Sequence, residues 1–173
     1  EHSRLDVLIA NVGQRNRKGM MELSVEEVRA LVETDLVGPF LLARAAARAM
    51  IPQGKGRIIF VTSIAGPFIA RGGDAAYPAA KAGLTGAMRA FAAELGPHGI
   101  TVNAIAPGPF KTDTNSGRLM DSAEAARMAG RAMLKRWGEP AEIAGAAVFL
   151  ASDAASFVTA HSLVVDGGIT ASF

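Results

Sequence analysis

Short runs of continuous apolar residues alternate along this chain with longer stretches of mixed polarity. Leu5 to Val12 is the first such run, closed by Asn11 and Gly13, and it reads as a strand buried on both faces. Ser24-Val-Glu-Glu27 is a capping box, in which serine and glutamate satisfy each other's free backbone N–H groups, and it predicts a helix running to about Met50. Gln53-Gly-Lys-Gly56 breaks that helix. Arg57 to Ser63 is a second buried strand, Gly66 to Gly73 a loop, and Ala75 to Leu95 an alanine-rich helix stopped by Gly96-Pro97. Ile100 to Ile105 is a third strand, ended by Pro107-Gly-Pro109. Phe110 to Arg136 reads as polar and irregular, with a short helix near Ala123 to Leu134. Glu139-Pro140 opens a helix, proline at its first position, that runs to about Ala151. Leu163 to Val165 is the last strand, followed by Asp166-Gly-Gly168.

Buried strands alternating with helices predict an α/β fold: a doubly wound parallel sheet with helices on both faces. The 173 residues suffice for one domain with a sizeable core, and no repeat, low-complexity linker or second domain interrupts them. Ligands of such sheets bind beyond the carboxyl ends of the strands. Asn11, Ser63 and Pro107 all fall at such ends, so three separate segments direct polar groups toward one cleft.

Composition narrows the chemistry. Half of the residues are hydrophobic, a fifth are charged, and the formal net charge is only +2. Only Arg15, Arg17 and Lys18 cluster, without interleaved aromatics, which argues against a nucleic-acid partner and reads as a solvated basic loop. There are no cysteines, so disulfides, thiolate zinc sites and cysteine nucleophiles are excluded. The three histidines are too far apart in sequence for metal-ligand spacing. No apolar run reaches membrane-spanning length and the opening residues do not resemble a signal peptide, so a cytoplasmic protein without a membrane partner is expected.

Tyr77 and Lys81 carry the most chemistry. Four residues apart at the start of a helix, they share a face. An ammonium beside a phenol favours the phenolate, which would bring the tyrosine below its ordinary pKa of about 10 and make it a usable proton donor and acceptor. The bland alternative is a surface pair. The upstream Ser63 weighs against it, because its hydroxyl could reach the tyrosine and hold a substrate carbonyl oxygen. Asn11 could equally be a turn residue and Thr112 a helix cap. Val61 stands where a hydrolase elbow needs glycine, so Ser63 is not such a nucleophile. Arg15 or Arg71 could pair with an anionic substrate.

Taken together, these residues resemble the short-chain dehydrogenase/reductase family over essentially the whole chain. Asn11-Val-Gly13 looks like the N-A-G motif after the family's fourth strand. Ser63, Tyr77 and Lys81 look like its catalytic serine, tyrosine and lysine. Asn103 to Gly108 with Thr112 looks like the segment that holds the nicotinamide, and Asp166-Gly-Gly168 like the C-terminal signature. The resemblance implies an NAD(P)-dependent oxidoreductase that exchanges a hydride between a nicotinamide cofactor, NAD or NADP, and a small-molecule carbonyl or secondary alcohol. Tyr77 would move the proton, Ser63 polarise the substrate oxygen, and Lys81 bind the nicotinamide ribose. Asn11, Gly13, Tyr77, Lys81, Pro107, Gly108, Phe110 and Thr112 would contact the cofactor. Phe110 to Arg136 resembles the family's mobile lid. The helix carrying Tyr77 usually packs on a neighbouring subunit, so a homodimer or homotetramer is expected. Asp35 to Gly38, Ile64 to Gly66 and the ending Gly167 to Phe173 look most like gluconate 5-dehydrogenase-type members, which points to a sugar acid or polyol. A 3-oxoacyl-carrier-protein reductase is the nearby alternative, and a non-catalytic oligomerisation or ligand-binding fragment the alternative of another class.

Four departures from the family qualify this reading. Asparagine usually stands at Asp35 and helps hold a water that links the lysine to solvent; Asp35, counted with the catalytic set, brings a negative charge instead. Ser63 to Tyr77 is one residue longer than usual, with Phe68 the candidate insertion and a bulged loop the way to absorb it. Pro78 follows the tyrosine directly, which only a first helical turn tolerates. The glycine-rich pyrophosphate turn has no counterpart. Residues 1–173 are therefore expected to form a partial Rossmann-like domain lacking the family's N-terminal strands, part of a longer protein. Leu5 to Val12 would then be an exposed sheet edge, and the isolated chain would bind NAD(P) poorly and tend to aggregate.

Overall fold

The computed structural model describes residues 4–70 and 72–172. Four strands, β1 (Val7–Ala10), β2 (Gly56–Val61), β3 (Ile100–Pro107) and β4 (Ser162–Val165), form one parallel sheet in that order. The main helices are α1 (Val25–Val32), α2 (Gly38–Met50), α3 (Ala76–Leu95), α4 (Ser116–Met120), α5 (Ser122–Arg131) and α6 (Ala144–Ala151).

Strand alternation sorts the core into two layers. Ile58 and Phe60 of β2 face Met50 of α2 with Leu84 and Met88 of α3. Ile59, between them, points the other way and joins Leu150 of α6 with Ile105 and Leu163. Helices thus cover both faces, which is why β2 and β3 are almost continuously apolar. Burying the Phe60 side chain alone contributes about 2–3 kcal/mol.

The strand carrying Asn11 is shorter than its apolar run. The Gln53 side chain takes both the N–H and the C=O of Leu5, and the chain leaves the sheet after Ala10. Among the described residues β1 is an edge strand, with Ile9 44 % exposed. The opposite deviation occurs at β3, which continues two residues beyond Ile105 to Pro107.

The single helix expected from Ser24 to Met50 is interrupted. Ser24 and Glu27 do form the capping box. Glu33–Val37, however, is a π-helical turn, in which the Gly38 N–H reaches back to the Glu33 carbonyl. The cause lies in the sequence. Pro39 has no N–H to give the Asp35 carbonyl four residues earlier, and its ring would collide with that carbonyl in an ordinary helix. The extra residue of the π turn relieves the clash and leaves Asp35 fully buried.

Two helices, α4 and α5, occupy the segment expected to be mostly irregular. Asp121 starts α5 by accepting from the N–H groups of Ala123 and Glu124. The helix expected from Glu139 begins as a tighter turn over Pro140–Ile143 before α6.

Candidate active site

A cavity of about 430 Å3 lies at the carboxyl ends of β1, β2 and β3, the edge where a parallel sheet presents its loops. Asn11 and Gly13 line it after β1, Ser63 after β2, and Pro107, Gly108, Phe110 and Thr112 at and beyond the end of β3. Tyr77 and Lys81 enter from the first turns of α3. Thr112 makes no side-chain cap. Arg71 lies outside the described residues.

The approach of α3 is fixed by the loop that precedes it. Gly66 has φ +100°, and a Cβ there would stand 2.2 Å from the Pro78 carbonyl oxygen. Only glycine lets the loop lie this close to the Tyr77 turn. The extra residue in this loop is held harmlessly: Phe68 and Ile69 both donate to the Ile64 carbonyl, and Phe68 stands 42 % exposed. Pro78 sits in the first turn of α3, where its missing N–H has no helical partner to lose.

Lys81 is buried between two strand ends. Its ammonium donates to the Val61 carbonyl at 3.2 Å and the Val12 carbonyl at 3.4 Å, and lies 3.6 Å from Asp35 Oδ2. The other Asp35 oxygen accepts the Gln14 N–H at 2.7 Å, while Oδ2 has no hydrogen-bond partner. Burial pushes the Asp35 carboxyl up and the Lys81 ammonium down, and each opposes the other's shift by its charge.

Tyr77 departs from the sequence expectation. Burial raises its phenol above the ordinary value; Ser63 and the Arg15 guanidinium oppose this, and Asp35 and Asp74 reinforce it. Lys81 lies 5.7 Å from the ring centroid, whereas Arg15 lies over the ring at 4.3 Å. The expected depression by Lys81 fails because its ammonium is turned toward Asp35 and the strand carbonyls.

Of the basic loop after β1, Arg17 and Lys18 are solvated as expected, and Arg15 is not. Arg15 is held by two bonds to one oxygen of buried Asp74. Arg17 reaches the Thr114 carbonyl and Asn115 Oδ1 just before α4, and Lys18 pairs with Glu27. Asp74 is the site residue that sequence reasoning misses. Its signal was available: an acid two residues before a helix, beside a loop bound for the cleft.

Residues 1–170 match the family described as "Enoyl-(Acyl carrier protein) reductase". The gluconate 5-dehydrogenase of Gluconobacter oxydans (strain 621H) is 38 % identical over 168 residues, covering 97 % of this chain and 65 % of that protein. A 3-oxoacyl-[acyl-carrier-protein] reductase of Synechocystis sp. (strain PCC 6803) is 39 % identical over 168 residues, covering 96 % of this chain and 66 % of its own length. The chain belongs to the short-chain dehydrogenase/reductase family. Among solved members, a gluconate 5-dehydrogenase from Burkholderia cenocepacia J2315, in complex with NADP and tartrate, superposes with a TM-score of 0.95 at 35 % identity, covering 98 % of this chain and 66 % of that one. The chain thus spans about two thirds of the length of these relatives and matches their C-terminal part.

The cavity suits the nicotinamide-ribose end of such a dinucleotide. Its volume lies in the range of small-ligand sites, and Asn11, Thr112 and Lys81 bring polar groups to its wall. The Lys81 bonds are long for an ammonium donor, so a diol can compete for them. Bare Gly13 leaves that ammonium room: a Cβ there would stand 3.2 Å from Lys81 Nζ.

Proposed function

We propose that this chain carries the catalytic part of an NAD(P)-dependent oxidoreductase acting on a small-molecule carbonyl or secondary alcohol, a sugar acid or polyol by preference. The observation that supports this most is the meeting of Ser63, Tyr77 and Lys81 around one cavity at the strand ends.

NAD or NADP, when bound, supplies or accepts the hydride. Lys81, with Asn11 and Thr112 alongside, holds the nicotinamide ribose. Ser63 donates its hydroxyl to the substrate carbonyl oxygen, where negative charge grows as the carbon is reduced. Tyr77 gives its phenolic proton to that oxygen, and in the reverse direction takes it from the alcohol. Burial raises its pKa and so weakens it as a donor, and Ser63 and Arg15 oppose that rise. Arg15, over the Tyr77 ring, stabilises the phenolate that remains.

A panel of oxo acids and ketoses tests this with full-length protein and NAD(P)H. Tyr77→Phe is expected to lower kcat by about a hundredfold or more; equal turnover by the variant rejects the tyrosine mechanism. The relation to the Synechocystis reductase favours a second reading, reduction of a 3-oxoacyl thioester. A higher kcat/KM for that thioester than for any oxo sugar acid would select it. A third reading, a non-catalytic binding or oligomerisation fragment, draws on the Asp35 charge beside Lys81 and is selected by the absence of all turnover.

The proposal includes a homodimer or homotetramer in the cytoplasm. Phe40, Leu41 and Leu42 of α2 are exposed and apolar, as a subunit contact requires. No helix of the described residues is long and apolar enough to cross a membrane.

A further inference from the structure

Beyond Ser63 a second, smaller hollow of about 70 Å3 opens against the lid, one that Lys81 does not line. Ile64, Met128 and Trp137 give it apolar walls, and Arg15, Arg118 and the exposed Arg131 line it as well. Arg15 is neutralised by Asp74 and Arg118 by Glu124. Glu124 also serves Arg127, and these cations pull its carboxyl down to about 2. Arg131 has no carboxylate partner among the described residues.

Arg17 adds to the excess. Its backbone is in the left-handed region at φ 54°, and its guanidinium reaches the lid at Thr114 and Asn115. Burial lowers its pKa, and the charges of Arg15 and Arg118 lower it further, so these cations sense one another. Five guanidiniums around the lid therefore have only Asp74 and Glu124 as carboxylate partners among the described residues. Arg17, Arg127 and Arg131 are open to water, which screens their mutual repulsion, and an entering anion would take the place of that water beside the apolar walls.

We infer that this hollow is the subsite for a substrate carboxylate, with Arg131 as its main receptor, so that the substrate is a hydroxy or oxo acid whose acid end lies on the lid side of the reacting carbon. The inference rests on the oxidoreductase reading for the position of that carbon. The hollow is large enough for one carboxylate, and the planar fork of a guanidinium matches the two carboxylate oxygens. The remainder of the acid extends into the larger cavity past Ser63, which lines both spaces.

Trp137, the chain's only tryptophan, lines the hollow and reports its occupancy without turnover. Full-length protein is titrated with gluconate and with glucitol, which differ at the carboxylate, with Trp137→Phe as the blank. Gluconate is expected to change the Trp137 emission saturably and glucitol to leave it unchanged. Arg131→Gln should weaken gluconate by about tenfold or more, and Arg131→Lys should recover part of the loss. No saturable change with gluconate, an equal response to glucitol, or unchanged binding by Arg131→Gln overturns the subsite. Turnover of both compounds with NAD(P)+ is measured alongside. Acid-selective binding with no turnover of either would reject the oxidoreductase reading and leave the subsite standing. Turnover without preference for the acid would reject the subsite and leave the reading.

Discussion

The Arg15 guanidinium lies over the Tyr77 ring, 4.3 Å from its centroid, and is the nearer of the two cations that face the phenol. It is tethered there by Asp74, whose side chain is 1 % exposed. The tyrosine therefore titrates among Ser63, Arg15, Asp35 and Asp74, after a dominant effect of burial.

Replacing Arg15 removes a group that lowers the Tyr77 pKa. In Arg15→Gln, the phenol should hold its proton to higher pH. The rise of alcohol oxidation with pH, measured as kcat/KM, should move upward. A midpoint that stays put or moves down contradicts the assignment.

Asp35→Asn should act in the opposite sense. The Asp35 carboxylate raises the Tyr77 pKa through its charge, so an amide of the same shape should shift the midpoint of the same profile downward. The two variants together are diagnostic, because a general loss of packing would not move the profile in two directions.

Gly13→Ala should impair catalysis while sparing the fold. Its new methyl group would stand 3.2 Å from Lys81 Nζ, the far end of a flexible side chain. The ammonium should shift at little cost to stability. A misplaced binding group of this kind costs about a hundredfold in kcat/KM, with an unfolding temperature close to that of the parent. A large fall in that temperature with normal kinetics would contradict this.

Gly66→Ala tests the packing of the loop on α3. Both the left-handed backbone at φ +100° and the 2.2 Å approach to the Pro78 carbonyl oppose a side chain. The expected cost is about 2 kcal/mol or more, read from denaturant midpoints. Unchanged stability would mean that the loop does not need its close seat on Pro78.

The strand ends at the site are legible in the sequence because each apolar run stops where polar or turn residues begin: Asn11, Ser63, Pro107. Buried parallel strands write themselves as such runs, and their carboxyl ends define the ligand edge. The shared face of Tyr77 and Lys81 follows from helical spacing in the same way. What spacing does not convey is where a four-carbon side chain turns. Lys81 turns to Asp35 and two carbonyls, leaving the tyrosine to Arg15. The path of the loop carrying Arg15 has no periodicity to read, so its arrival over the phenol is a tertiary fact. The π turn at Asp35 lies between these cases: the capping box and apolar pattern promise an unbroken helix, and only the position of Pro39 betrays the break.

That π turn also bears on how the sequence can change over time. Deleting one residue between Glu33 and Val37 would turn the later residues by about 100° relative to α1. A deletion ahead of Asp35 would also carry it off the Lys81 side, though every remaining residue stayed the same. Point substitutions at a neighbouring exposed position, such as Glu33, have no such effect. At this place in the chain, residue count is constrained more tightly than residue identity. Insertions and deletions should be rarer here than in the lid, where loop length can vary without moving the lysine.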